Sequence, residues 1–330
     1  MTHDILQTVT GGINPAELGK TLMHEHLMVG YPGFEADTVN PGPKLEERVA
    51  RCIDRIAEIK DLGYRSLLDP CPSDLGRDVE LMAEVAQKTG FQIICATGLY
   101  KQSEGGYSYW SMRQNFGSTV DAMAEIFIKE ITEGIGSTGV RAGIIKVATG
   151  PGEMTEYERG VFEAAAKASV ETGAPITTHT DEGTIGDLQQ QVLTENGVLA
   201  HRIVIGHSCG TSDHDYHMKI ARGGSYLGFD RFGLEVAHPD EERVASLAQL
   251  IKKGAGDRLV VSHDSVWCWG GQPFPPKVEA AMVQIWNPSH FSLRIVPKLL
   301  DLGVTEAQID ALLVDNPRRF FEGEKLATLS

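Results

Sequence analysis

Six side chains able to bind a metal or carry a proton recur along this chain, each in or at the end of a short apolar run. His24 and His26 stand in "KTLMHEH" (20–26), Lys146 in "AGIIKVA" (142–148), His179 closes "PITTH" (175–179), His207 closes "RIVIGH" (202–207) and Asp264 closes "RLVVSHD" (258–264). Imidazoles and carboxylates suit zinc first, and iron, manganese or cobalt as well, so the set points to metal-assisted chemistry. Lys146 is the odd member, because an ammonium among histidines repels a cation and a metal site requires it to lose its charge. Two other readings stay open for it: a packed stem whose amine finds a carboxylate, or a lysine that forms a Schiff base with a carbonyl substrate.

These runs belong to a series of eight, completed by "YRSLLD" (64–69), "FQIICAT" (91–97) and "SYLGF" (225–229). Most are too short for a globular helix and rich in β-branched residues, which predicts strands. Helical spacing of apolar residues predicts helices over 44–63, 77–89, 119–133, 155–172, 184–196, 213–222 and 239–253, with two more near 291–302 and 305–314. Strands alternating with helices imply a parallel sheet, open or closed. The count of eight, and the lack of a G-x-G-x-x-G after the first strand, favour a closed (β/α)8 TIM barrel. No linker or low-complexity tract divides the chain, so 1–330 reads as a single domain with 265–290 as a loop over the active site.

In such a barrel the chemistry sits at the carboxyl ends of the strands. His24 and His26, two apart, are expected to face the barrel mouth together, with Glu25 turned the other way. Lys146 and His179 lie 33 residues apart and His179 and His207 lie 28 apart, each near one βα unit, while the 57 residues to Asp264 make two and pass over strand seven. Residues from five strands thus converge on one layer.

Composition narrows the function classes. The 330 residues carry a formal charge of −15, from 30 basic and 45 acidic side chains, with no basic block to grip phosphate backbones, so no nucleic-acid partner is expected. No apolar run is long enough to span a bilayer, no membrane association is expected, and the amino terminus lacks the features of a secretory signal. Five scattered cysteines without a C-x-x-C pair read as reduced thiols, and the expected location is cytoplasmic.

With these residues in place the sequence resembles the phosphotriesterase family of the amidohydrolase superfamily, above all its phosphotriesterase-like lactonase branch. The likeness runs from "GGINPAELGKTLMHEHL" through "YLGFDRFGLE" to "VDNPRRFF" and rests on H-x-H, the strand-four lysine, "TTHT", "IGH" and "VSHD". It implies two divalent ions, with His24, His26 and Asp264 on the more buried one and His179 and His207 on the more exposed one. It also implies that Lys146 is N-carboxylated and bridges both ions beside a nucleophilic hydroxide, and that Asp264 accepts that nucleophile's proton. The expected activity is hydrolysis of lactones, including N-acyl-homoserine lactones or other γ- and δ-lactones, with promiscuous cleavage of organophosphate triesters, in a homodimer.

Tyr100 in "ATGLY" and Arg231 in "FDRFG" match functional residues of the lactonase branch, beside structural readings as an aromatic lid and as the partner of Asp230 or Glu235. Trp267 and Trp269, in the loop after Asp264, are expected to wall the substrate pocket. One motif departs from the family: Gly210 in "GHSCGT" stands where relatives carry an aspartate, with Asp213 or Asp215 as candidates to replace it. His201, His214, His217, His238, His263 and His290 read as ordinary loop or surface histidines. Competing functions are a metal-dependent amidase or carboxylesterase and, in another class, a catalytically idle ligand-binding barrel.

Overall fold

A computed structural model describes residues 5–329. Its centre is an eight-stranded sheet in sequence order, every neighbouring pair parallel: β1 (Lys20–Leu22), β2 (Tyr64–Asp69), β3 (Gln92–Gly98), β4 (Ile144–Ala148), β5 (Ile176–His179), β6 (Ile203–Ile205), β7 (Tyr226–Phe229) and β8 (Leu259–Val261). The seam between β1 and β8 closes through the segments that follow them. The Met23 amide donates to the Val261 carbonyl (3.3 Å) and the Asp264 amide to the His24 carbonyl (2.9 Å), and Glu25–His26 pairs in parallel with Ser265–Val266. The architecture is the (β/α)8 barrel expected from the sequence.

The helices form because their apolar residues fall on one face. Leu45–Asp61 buries Val49, Cys52, Ile56 and Ile59 at three- and four-residue steps, with Glu46 and Glu47 in its first turn and Lys60 in its last, matching the helix dipole. Glu156–Thr172 starts at a Thr155/Glu158 capping box and stops at Gly173, which takes a left-handed conformation (φ 75°). Two short helices fall where loops were expected: Tyr107–Gln114 after β3, and Pro276–Met282 inside the loop over the barrel mouth. All five cysteines are buried as free thiols. Among the described residues no helix is long and apolar enough to cross a membrane.

Several expected strands end early, and the functional side chains sit just beyond them. β6 stops at Ile205 and β8 at Val261. His207 and Asp264 both adopt left-handed backbone angles (φ 56° and 54°), sparsely populated for residues with a Cβ. Such turns swing each side chain over the barrel axis instead of leaving it on the pleat. Gly98, at the end of β3, permits the close approach of β4: a Cβ there would lie 1.8 Å from the carbonyl oxygen of Lys146.

Candidate metal centre

The six side chains meet at the carboxyl end of the barrel and line one cavity of about 470 Å³. Nε2 of His24 and Nε2 of His26 both lie against Oδ1 of Asp264 (3.3 and 3.2 Å), and His207 Nε2 is 3.7 Å from Asp264 Oδ2. The His207 ring contacts those of His24 and His179, with centroids 4.7 and 4.6 Å apart. Ligand atoms of His24, His26 and Asp264 lie within 4.8 Å of one another, a donor set that suits a divalent ion. Two further groups gather their ligand atoms as closely, His24 with His207 and Asp230, and His26 with Asp69 and Cys71. Their shared feature is a carboxylate behind the imidazole.

That carboxylate fixes each ring. Nδ1 of His24 and Nδ1 of His207 both bond to Asp230 (3.2 and 2.9 Å), and Nδ1 of His26 bonds to Asp69 (3.1 Å). An ionised carboxylate only accepts, so each of these Nδ1 atoms carries a proton, which leaves Nε2 as the ring atom turned to the cavity, the one a metal ion would take. Asp230 directly follows β7 and Asp69 ends β2, so the strand-end rule that singled out the others applies to both. Strand seven, which the spacing passed over, supplies the residue that orients two of the imidazoles.

His179 is held the other way round. Its Nε2 bonds to Asp181 Oδ1 (2.7 Å), and its Nδ1 meets the Tyr100 hydroxyl (3.3 Å). Tyr100 therefore lies inside the site, buried against His179, while also forming part of the cavity wall. Arg231 pairs with neither Asp230 nor Glu235; its Nε donates to Asp264 Oδ2 at 2.9 Å. Burial opposes ionisation of Asp264, yet its neighbours His207, His24, Arg231 and His26 together hold its carboxyl well below the usual carboxylate range.

Lys146 is 2% exposed. Its Nζ lies 3.1 Å from the Thr178 carbonyl and 3.4 Å from His24 Nε2. Among the described residues no carboxylate oxygen comes within 4.0 Å of it, so the buried amine finds no ion-pair partner. Burial pulls its pKa down from 10.5 to about 8, against the opposing pull of Asp264 and Asp230. His179 is likewise driven to about 3, by burial first, and stays neutral at physiological pH.

Three expectations need correction. Trp267 does not line the cavity: the preceding Val266 does, while the Trp267 ring packs into the core and its Nε1 donates to Ser265 Oγ at 3.1 Å. Trp269, Trp286, Phe274 and Met282 form the apolar wall instead. His217 and His263 are fully buried, not surface histidines. His263 Nδ1 bonds to Glu25 Oε1 (2.6 Å), and that carboxylate also takes Ser262 Oγ, the His263 amide and Ser265 Oγ, so Glu25 clamps the barrel seam from behind. Asp213 and Asp215 are exposed; Asp213 caps the helix His214–Arg222 through the amides of Asp215 and Tyr216, and neither acid reaches the cavity.

Comparison with known proteins agrees with this geometry. The family model described as "Phosphotriesterase family" matches residues 4–321. The chain belongs to the phosphotriesterase family. An organophosphorus hydrolase of Deinococcus radiodurans superposes with a TM-score of 0.93 at 41% identity, covering 97% of each chain. A mutant of a Deinococcus radiodurans PTE-like lactonase gives 0.92 at 40%, over 96% of this chain and 99% of that one. An aryldialkylphosphatase of Saccharolobus solfataricus is 32% identical over 94% of this chain and 96% of its own length. The protein is thus a metal-dependent hydrolase of this family, whose enzymes use a binuclear centre.

Proposed function

We propose that this phosphotriesterase-family hydrolase cleaves lactones, with organophosphate triesters as secondary substrates, at a two-metal centre held by His24, His26, Lys146, His179, His207 and Asp264. The observation that carries the reading is Lys146. A buried amine without a carboxylate partner, set 3.4 Å from His24 Nε2 in a cavity lined by four imidazoles, is unfavourable as an ammonium and well suited as an N-carboxylated, anionic ligand. A pKa near 8 leaves about a tenth of the amine neutral at pH 7, against about 0.03% at 10.5, and the neutral form is what reacts with carbon dioxide.

Two divalent ions, zinc first among the candidates, would supply a nucleophilic water near neutral pH and an electrophile for the carbonyl or phosphoryl oxygen. The protein's own groups do the rest. Asp264, ionised and reached by His24 and His26, takes up the proton released as the substrate is attacked. Arg231 holds Asp264 in place through Nε, and Tyr100 holds His179. The wall of Trp269, Trp286, Phe274, Met282 and Leu234 excludes water and accepts an apolar tail or leaving group. A homodimer, by the same resemblance, and a cytoplasmic location, by the reduced thiols read from the sequence, complete the proposal.

The test is a parallel panel of acyl-homoserine lactones, simple γ- and δ-lactones, N-acyl amino acids and paraoxon, run beside metal analysis. About two divalent ions per chain with lactone turnover exceeding the rest support the reading. Amide turnover without lactone turnover replaces it with an amidase, and the lack of bound metal points to the idle barrel.

A further inference from the structure

His179 differs from the other imidazoles of the site in the nitrogen its carboxylate holds. His24, His26 and His207 each give Nδ1 to an aspartate, whereas His179 gives Nε2 to Asp181 at 2.7 Å. Asp181 is itself gripped: Lys101 Nζ lies 3.0 and 2.8 Å from its two carboxylate oxygens. Lys101 is 6% exposed, and its ammonium also reaches Glu104 Oε1 (2.9 Å). Its neighbour Tyr100 meets the other ring nitrogen of His179, so consecutive residues of one loop control both sides of the imidazole.

The backbone around Asp181 is built to keep it there. The Thr184 amide and hydroxyl both donate to the Asp181 carbonyl (3.0 and 2.9 Å), closing a turn at Asp181–Gly183. That turn packs on the turn after His207, where a Cβ at Gly210 would stand 2.6 Å from the Gly183 nitrogen and 2.7 Å from the Glu182 carbonyl carbon. The glycine that departs from the family pattern and the turn that presents Asp181 therefore belong together: the space an aspartate at 210 needs is filled by the Asp181 turn.

We infer that Lys101 and Asp181 are a positioning pair that keeps the His179 proton on Nε2, leaving Nδ1 as the donor atom turned to the cavity. The inference rests on the metal-binding role proposed for His179. A carboxylate accepts and never donates, so it dictates the tautomer of the ring it touches, and Lys101, bonded to both of its oxygens, holds that carboxylate aimed at Nε2. Asp181→Asn preserves the shape, yet its amide is able to donate to Nε2 and send the proton to Nδ1.

The test uses the full chain, first metal-free and then titrated with cobalt(II). Long-range ¹H–¹⁵N correlation reads the His179 tautomer, and equilibrium titration reads the affinities of the two ions. Expected are Nε2–H in the parent, loss of that state in Asp181→Asn, and weakening of one cobalt ion alone by about 10- to 100-fold. Lys101→Met weakens the same ion less, and Asp181→Glu restores part of the loss, which damage to the fold alone would not produce. An unchanged tautomer in Asp181→Asn, or affinities within about twofold of the parent in both Asp181→Asn and Lys101→Met, overturns the inference. A parent chain that takes up no cobalt overturns the two-metal reading instead, while the metal-free tautomer still reports on Asp181.

Discussion

Lys146→Met should make the metal-free protein more stable while abolishing its metal centre. Burial lowers the Lys146 pKa from 10.5 to about 8, so the folded state resists protonation that the unfolded chain accepts freely. At pH 7 the unfolded lysine is protonated about 3,000-fold over neutral and the folded one about 10-fold, a ratio near 300, or about 3 kcal/mol against folding. Methionine, of similar length and apolar, removes that cost but leaves the Thr178 carbonyl without its 3.1 Å donor, at about 1 kcal/mol. The net gain is about 2 kcal/mol at pH 7. The sign with pH follows: because the folded pKa is depressed, the unfolded state binds more protons between about 8 and 10.5, and parent stability climbs across that window. Urea unfolding of metal-free parent and variant from pH 6.5 to 10.5 should show the variant ahead at neutral pH and its advantage gone or reversed near pH 10.5. A variant less stable at pH 7, with a difference that does not move with pH, would refute the reasoning.

Other outcomes follow from the same geometry. Lys146→Ala should lose metal and activity together, with partial recovery on adding short carboxylic acids; activity lost with both metals retained in the metal analysis contradicts its role as a ligand. Asp264→Asn should lower kcat by about 10²- to 10⁴-fold in steady-state assays, because a proton acceptor and a carboxylate within 3.3 Å of both His24 and His26 disappear together. Trp269→Ala should raise KM for long-tailed substrates over short ones, whereas Trp267→Ala should lower the Tm with little change in that ratio, since only Trp269 lines the cavity. Gly210→Asp should destabilise the chain by about 1–3 kcal/mol in chemical denaturation, because its Cβ meets backbone atoms at 2.6 and 2.7 Å.

The barrel was legible because short β-branched runs and amphipathic segments alternate eight times, a pattern set by burial alone. The converging side chains were legible because the fold has one active end, so a histidine or aspartate closing a strand announces its position. What stayed hidden depends on contacts between distant segments. Asp230 and Asp69 close strands as plainly as His179 does, but a carboxylate that orients an imidazole from behind carries no spacing signature, since its partners lie 206 and 43 residues away. Glu25 faces away from the site, as alternation predicts, yet its use as a clamp across the seam depends on Ser262, His263 and Ser265 arriving from the other end of the chain. Trp267 and Trp269 look alike in sequence, and only the direction of the loop separates a core ring from a cavity wall.

The central claim is the chemical state of Lys146, and a crystal structure of the metal-loaded protein, with anomalous data at the metal edges, tests it directly. The account predicts two anomalous peaks with planar, carboxylate-shaped density extending from Lys146 Nζ between them. A bare amine still bonded to the Thr178 carbonyl, with a single ion or none beside the histidines, would contradict it.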